Sequence, residues 1–248
     1  MLNNSFSTQS FSHNSFFRRA NLLAKALFYG ADWGWNPTHT TSAITAAECF
    51  INQKNTFPNI ESKLAKDPEA SKIFTSVEFV EDMSKSWNLD ELLQKYPVGT
   101  LGNEYVLFMK NLGFEPLTMN FSTNIPVTIR NIIGLGIRNH DIIHLLLGLY
   151  EVKRDKNNNT KYNITDYHEW VFLRWTEGQV HDKSEKLIIS FLLFPSMVKA
   201  FCSFRLSEYK QAMAQGQLLA SSSKDLNLMW LKPYFNLPIA EVKQLLVY

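Results

Sequence analysis

Apolar residues recur at three- and four-residue steps along most of the chain, which predicts a mostly helical fold. The stripe over residues 103–112 is the clearest example, because Tyr105, Phe108 and Met109 fall on one helical face. Gly113 follows directly and is typical of a residue that ends a helix. We therefore expect an all-α fold in which stretches of this kind pack together.

The most hydrophobic stretch of the chain spans residues 187–204. Its length of about 18 residues barely reaches what a membrane-spanning helix needs. Pro195 and Lys199 interrupt it. We therefore expect a buried helix, or a helix pair, that lines a cavity.

Polar stretches divide the predicted helices. Residues 151–162 contain three consecutive asparagines and should form an exposed excursion. Thr165 and Asp166 then give an N-cap signal for the next helix. We expect residues 1–14 to be a mobile tail and residues 15–248 to be a single all-helical domain.

The segment from Phe16 to Tyr29 is basic, free of acidic residues and amphipathic. Three interpretations stay open for it. It has the composition of a transit peptide, the two faces of a helix that lies on a membrane surface, and the pattern of an ordinary first core helix.

Three polar side chains interrupt an otherwise apolar helical run at residues 138–151. His140 and His144 are four positions apart, and Asp141 is three positions before His144, so all three project near one helical face. Burying such groups costs several kcal/mol, roughly, for each ionised group that lacks a partner. The pattern fits core histidines bonded to main-chain carbonyls, and it also fits ligands of a divalent cation.

Composition narrows the function classes. The chain has 248 residues, 45% of them hydrophobic, with 18 Phe and only 10 Gly, a balance that favours long helices. A net charge of +2 without long basic runs argues against nucleic acid as a partner. Cys49 and Cys202 are far apart and form no close-spaced metal or redox motif, which favours a reduced, cytoplasmic protein.

Four blocks between residues 96 and 245 resemble, in the same order, one known family. They are Tyr96–Tyr105 (YPVGTLGNEY), Phe108–Pro116 (FMKNLGFEP), His140–His144 (HDIIH) with Gly148 after it, and Trp230 with Leu237–Leu245 (LPIAEVKQL). They are similar to motifs of the coenzyme Q biosynthesis protein 4 family, which acts in ubiquinone synthesis and has bacterial members. The resemblance extends over about residues 90–246.

The resemblance implies a metal site. Its ligands would be His140, Asp141 and His144, completed by a glutamate that the family carries twelve positions after the second histidine. Position 156 is lysine here, so the pattern departs from that of the family. An inserted polar loop would bring Glu169 to the ligand position. Two other acidic residues compete with it: Glu151 and Glu177.

The resemblance also implies an apolar tunnel for a prenyl tail, with the polar head group near the metal. Six apolar residues are candidates for its wall: Tyr105, Phe108, Met109, Phe191, Leu192 and Phe194. The same residues also suit a solid core, because residue type does not separate wall from filler.

Two imidazoles with one or two carboxylates suit a divalent ion with open coordination positions, whether zinc, magnesium, iron or manganese. We expect either a metal-dependent enzyme that decarboxylates or hydroxylates a prenylated aromatic ring, or a non-catalytic carrier of an isoprenoid or isoprenoid phosphate. Asp141 is a candidate ligand and catalytic group, and it could equally orient His140. A His-Asp phosphohydrolase is a third hypothesis, with His39 and Asp182 as its further ligands.

The partners that the resemblance implies are a prenyl lipid or isoprenoid phosphate, other enzymes of quinone biosynthesis, and a second copy of the chain in a homodimer. Peripheral contact with the inner face of a membrane is a further expectation.

Overall fold

The computed structural model describes residues 68–116, 127–154, 156, 160–180, 183–226 and 229–247, with scattered positions between 21 and 49. The expected tail at 1–14 and most of the segment at 16–29 lie outside the described residues, as do His39 and Asp182. So do the side chains of Phe191 and Leu192. Helix dominates the described residues, as the apolar periodicity predicts.

Most of the described chain consists of helices that follow one another in sequence. They are α1 (Pro68–Phe74), α2 (Val77–Ser84), α3 (Leu89–Lys95), α4 (Leu101–Leu112), α5 (Val127–Leu147), α6 (Asp166–Gln179), α7 (Lys183–Cys202), α8 (Leu206–Ser222) and α9 (Ile239–Leu246). Strands β1 (Glu151–Arg154) and β2 (Thr160–Asn163) lie between α5 and α6, and a 3-10 helix (Lys232–Asn236) precedes α9.

Helix α4 begins and ends where its sequence predicts. Thr100 accepts a hydrogen bond from the backbone N–H of Asn103, which satisfies one of the unpaired donors at the start of the helix. Gly113 ends it with φ of 72°, in the left-handed region that glycine adopts without steric cost. Thr165 likewise caps α6, although the side chain that reaches back to its N–H is that of His168.

The polar excursion after α5 is a short β-hairpin in an otherwise helical fold, and its first strand is exposed as the sequence predicts. Strands β1 and β2 pair antiparallel, with Glu151 opposite Asn163. Asn111 of α4 holds the hairpin, since its side chain donates to the carbonyl of Thr160 and accepts from the N–H of Tyr162. The hairpin therefore lies against α4, and the chain returns from it directly into α6.

Two of the sequence blocks meet in space. The backbone N–H of Leu101 donates to the carbonyl of Leu237 at 2.8 Å, and the N–H of Ile239 donates to the carbonyl of Gly99 at 3.0 Å. The turn before α4 and the turn before α9 thus form a short antiparallel bridge. Residues more than 130 positions apart in the sequence are fixed to each other by main-chain bonds.

Helix α5 is fixed by polar side chains near its middle. Asn139 donates to the carbonyls of Leu226 and Met229, and Arg138 donates to the carbonyls of Asp82 and Lys85. Such buried bonds to main-chain carbonyls hold a helix against rotation about its axis as well as translation. The residues that follow Asn139 are therefore held in a defined orientation.

Helix α7 corresponds to the most hydrophobic stretch, and the expectation that it is buried is wrong for its outer face. Leu193, Ser196 and Ala200 face inward, whereas Phe194 and Phe201 are exposed. Helical periodicity could not reveal this, because both faces are largely uncharged. Among the described helices, none is both long and apolar enough to cross a membrane.

Candidate metal centre

His140 and His144 lie one helical turn apart on α5, and their rings meet at a centroid distance of 4.7 Å. Phe172 of α6 packs against both imidazoles, with its ring centroid 4.5 Å from that of His140 and 5.1 Å from that of His144. His144 is completely buried and His140 is partly buried. The pair therefore faces α6 across an aromatic contact.

Glu169 enters the same space from the first turn of α6. Its Oε2 lies 3.3 Å from Nε2 of His140, and its Oε1 lies 3.6 Å from Nε2 of His144. One ligand atom from each of the three residues lies within 4.8 Å of the others. The hairpin makes this possible, because it uses the residues between α5 and α6 and returns the chain beside the two histidines.

A main-chain carbonyl fixes the tautomer of His144. Nδ1 of this histidine lies 2.9 Å from the carbonyl oxygen of Leu149. A carbonyl only accepts hydrogen bonds, so Nδ1 carries the proton and donates it. Gly148 allows the contact, because its φ of 69° turns the chain back beneath the end of α5.

The other nitrogen of His144 has no hydrogen-bond partner among the described residues, although it is buried. Since Nδ1 donates to that carbonyl, Nε2 is the nitrogen that faces the carboxylate of Glu169, at 3.6 Å. A bare lone pair there would face a second acceptor, and a buried acceptor without a donor costs about 1–3 kcal/mol. A positive charge between the two groups, a proton or a metal ion, removes that cost.

Asp141 contacts the opposite side of the His140 ring. Its Oδ1 lies 3.0 Å from Nδ1 of His140, while Nε2 of the same ring faces Glu169. A carboxylate on the second nitrogen of a metal-binding histidine orients the ring and raises its basicity. The family resemblance implies Asp141 as a ligand, but it lies outside the group of three; the geometry favours the orienting role.

The charges of the site favour a cation. Burial lowers the pKa of His140, but the carboxylates of Glu169 and Asp141 outweigh it and raise that pKa from 6.5 to about 10. Burial raises the pKa of Glu169, and the two histidines outweigh it, so the pKa falls well below its ordinary value. One imidazolium thus faces two carboxylates, and a cation that binds here displaces its proton.

The two oxygens of Glu169 divide the contacts to the histidines. Oε2 lies 3.3 Å from Nε2 of His140, and Oε1 lies 3.6 Å from Nε2 of His144. Two ligand atoms that each lie about 2.1 Å from a tetrahedral ion are about 3.4 Å apart, so each of these contacts is close to a ligand–ligand distance. Two histidines and one glutamate are also the protein ligands of one class of catalytic zinc site.

The competing glutamates have other contacts. Glu151 is exposed on β1 and pairs with Lys153 at 2.9 Å. Glu177 accepts a hydrogen bond from Ser190 at 2.9 Å and pairs with Arg174. Neither belongs to the histidine group, whereas Glu169 does.

The residues considered for a lipid tunnel divide into two sets. Tyr105, Phe108 and Met109 are buried in the main core, next to the hairpin and α5. Phe194 is exposed on α7. The assignment of these residues to a tunnel stays a prediction.

Sequence reasoning did not foresee the carbonyl of Leu149 or the ring of Phe172. The position of the Leu149 carbonyl depends on the path of the backbone after α5. Gly148, which follows the helix directly, is the residue in the sequence that signals a turn there. The second would have required knowing that α6 packs against α5 at this position.

The family model for coenzyme Q (ubiquinone) biosynthesis protein Coq4 matches residues 34–156. The chain belongs to the Coq4 family. The matched range contains both histidines and Asp141, and it ends within the hairpin, before Glu169. It is therefore the fold of this chain, rather than the match, that brings the glutamate to the Coq4 histidines.

A solved structure has the same fold. The chain is similar to a candidate ubiquinone biosynthesis protein of Nostoc punctiforme PCC 73102, with a TM-score of 0.58 and 17% sequence identity. The similarity covers 90% of this chain and 97% of the other. Among curated proteins, none matches this chain.

Proposed function

We propose that this Coq4-family chain is a metal-dependent prenyl-lipid-binding protein of quinone biosynthesis. In this proposal His140, His144 and Glu169 hold a divalent cation, and the polar head of the lipid lies beside it. Membership of the Coq4 family supports the pathway, and the buried group of three side chains supports the cation. The single observation that most supports the cation is Nε2 of His144, which is buried, has no hydrogen-bond partner among the described residues, and lies 3.6 Å from a carboxylate oxygen of Glu169.

Each side chain has a definite task in this proposal. The carbonyl of Leu149 keeps the proton of His144 on Nδ1, so that Nε2 is free to bind. Asp141 holds His140 in the matching orientation, and Glu169 supplies the negative charge. Phe172 covers the imidazoles and excludes water from that side. When bound, a divalent ion there would orient and polarise a phenolate, carboxylate or phosphate oxygen of the head group.

We propose oxidative decarboxylation or hydroxylation of a prenylated aromatic ring as the reaction, with dioxygen as the oxidant and the oxygen atom source, and with iron or manganese as the ion. Zinc or magnesium would suit a site that only binds and orients the head group. Asp141 contacts Nδ1 of His140, on the side of the ring away from Glu169. A His140 that bound the ion through Nε2 would not relay a proton, so in this reaction Asp141 would orient the ring rather than act as the catalytic group that the sequence suggested. The alternative is a carrier of an isoprenoid or isoprenoid phosphate that grips the head group without turnover. A glutamate that lay away from the histidines would have favoured the carrier. Glu169 lies beside both histidines, which supports the enzyme.

Mass spectrometry of lipid extracted from the purified protein, with metal analysis of the same sample, tests this proposal. We expect close to one divalent ion per chain and a polyprenylated aromatic or isoprenoid phosphate in the extract. Incubation with a prenylated hydroxybenzoate and dioxygen then separates the enzyme from the carrier, because only the enzyme converts the compound. A preparation that takes up neither ion nor prenyl lipid when both are supplied would contradict the proposal.

We also expect the protein to work at the periphery of a membrane beside other quinone-biosynthesis enzymes, because a polyprenyl substrate resides in the bilayer.

A further inference from the structure

The outer face of α7 carries large apolar side chains in the solvent. Phe194, Met197 and Phe201 recur at three- and four-residue steps, so they form one stripe along the helix, and they are 60%, 39% and 70% exposed. Ser196 and Ala200, by contrast, are buried on the opposite face. A helix that packs only for the stability of its own chain would bury its phenylalanines and expose its serine.

Phe204 extends this stripe beyond the end of the helix. It is 97% exposed, and its φ of 57° lies in the left-handed region, which is an outlier for a bulky residue. The backbone there is held by a bond from the N–H of Arg205 to the carbonyl of Ala200 at 2.7 Å. Glycine is the usual residue at such a helix end. The chain thus keeps an aromatic ring in water at a position where glycine would be more stable.

Basic residues accompany the stripe. Between positions 183 and 210 the sequence has five basic residues and two acidic ones, a net charge of +3, against +2 for the whole chain. Lys199 and Arg205 are paired with Asp166, whereas Lys186 and Lys210 are exposed. Lys186 is on α7 itself, two turns before Phe194, and an apolar stripe with a basic residue on the same helix is typical of helices that lie on membranes containing anionic lipids.

We propose that this outer face of α7, Phe194 to Phe204, docks on a bilayer, with its phenylalanine rings among the acyl chains. This inference rests on the proposed function in one respect, because it takes the substrate to be a lipid. A second copy of the chain fits this face less well. At roughly 200 Å² for each large side chain, the exposed fractions of the four residues add up to about 500 Å² of surface. A stable dimer buries about 800 Å² on each partner.

Vesicle flotation tests the proposal with the full chain. The probe is a phosphatidylcholine vesicle with about one third phosphatidylglycerol, compared with pure phosphatidylcholine. We expect the wild type to float with the anionic vesicles and the Phe201→Ser/Phe204→Ser variant to lose about tenfold or more in partitioning. Both residues are exposed, so the variant should fold normally. Leu218→Ser removes another exposed apolar residue, from α8, and should float like the wild type.

A fluorophore reports which face meets the lipid. Cys202 is exposed beside the stripe, whereas Cys49 is buried, so an environment-sensitive thiol dye such as bimane should label Cys202 selectively. We expect a blue shift on addition of anionic vesicles and quenching by spin-labelled lipid. Unchanged emission, with vesicle binding equal in the wild type and the double variant, would overturn the proposal.

Two further outcomes would also overturn it. One is light scattering that shows a dimer for the wild type and a monomer for the double variant, without vesicle binding by either. The other is vesicle binding that persists in the double variant and is lost when residues 1–20 are deleted. His144→Ala separates this inference from the metal proposal, because it should keep vesicle binding whether or not a cation is bound.

Discussion

The metal centre and the outer face of α7 depart from the usual distribution of side chains in opposite directions. In the first, two histidines and a glutamate are withdrawn from water beside a phenylalanine. In the second, phenylalanines are placed in water while serine and alanine are buried. Neither arrangement serves the stability of the isolated chain. In our proposals each region is organised for something that binds to it, a cation in one and a bilayer in the other.

Removing the charge of Glu169 should have the largest effect on the first region. We expect Glu169→Gln to weaken divalent metal binding by more than about 100-fold, which exceeds the usual effect of residues that only orient ligands. Titration with zinc or manganese followed by calorimetry measures it. Glu151→Gln is the matched control, because Glu151 is exposed on the hairpin, and it should leave the affinity unchanged. Equal losses in both variants would remove Glu169 from the site.

Asp141 separates a metal ligand from a residue that orients one. Asp141→Asn keeps the shape of the side chain but removes its charge beside Nδ1 of His140. We expect a loss of metal affinity of about 10- to 100-fold, at unchanged stoichiometry. A loss as large as that of Glu169→Gln would make Asp141 a ligand, as the family resemblance implies.

Gly148, in the turn after α5, should affect both the stability of the chain and its affinity for the metal. Gly148 and Gly113 both have positive φ, and an added Cβ would meet nothing within 4 Å at either position. Each Gly→Ala change should therefore cost about 1–2 kcal/mol from the backbone alone. Only Gly148→Ala should also weaken metal binding, because it displaces the carbonyl that holds His144. Thermal unfolding and metal titration of the two variants make the comparison, and equal metal affinities would contradict it.

Much of the metal centre could be predicted from the sequence, and the reason is local geometry. Four-residue spacing suffices to put His140 and His144 on one helical face. Glu169 could be proposed only because the family pattern demanded a glutamate and the polar residues before it suggested an insertion. The hairpin itself gave no strand signal, since residues 151–162 are nearly all polar and show no alternation of apolar and polar positions.

The face of α7 could not be predicted, because residues 187–198 are nearly all apolar and therefore show no contrast between faces. Sequence alone does not distinguish Phe201, which points outward, from Ala200, which points inward. Burial of Ala200 depends on which helices pack against α7, and such contacts are set by the whole fold.

Replacing Phe204 should have the smallest effect. It tests whether the outer face of α7 is less stable than it would be if it did not bind a membrane. Phe204→Gly removes a bulky residue from the left-handed region, and we expect it to stabilise the chain by about 1 kcal/mol. Thermal unfolding should show a rise of roughly 2–4 °C for a chain of this size. Phe201→Ala, on the same face but in helical backbone, should change the stability by less than about 0.5 kcal/mol. A Phe204→Gly protein no more stable than the wild type would mean that the exposed ring costs nothing.

Metal analysis of His144→Ala decides whether the buried histidines and Glu169 hold a cation. His168→Gln is its control, since glutamine at the third position of α6 preserves the capping contact with Thr165 while removing a neighbouring imidazole. We expect close to one divalent ion per chain in the wild type and in His168→Gln, and none in His144→Ala, with equal helical content by circular dichroism. A His144→Ala protein that retains its ion would refute the metal centre.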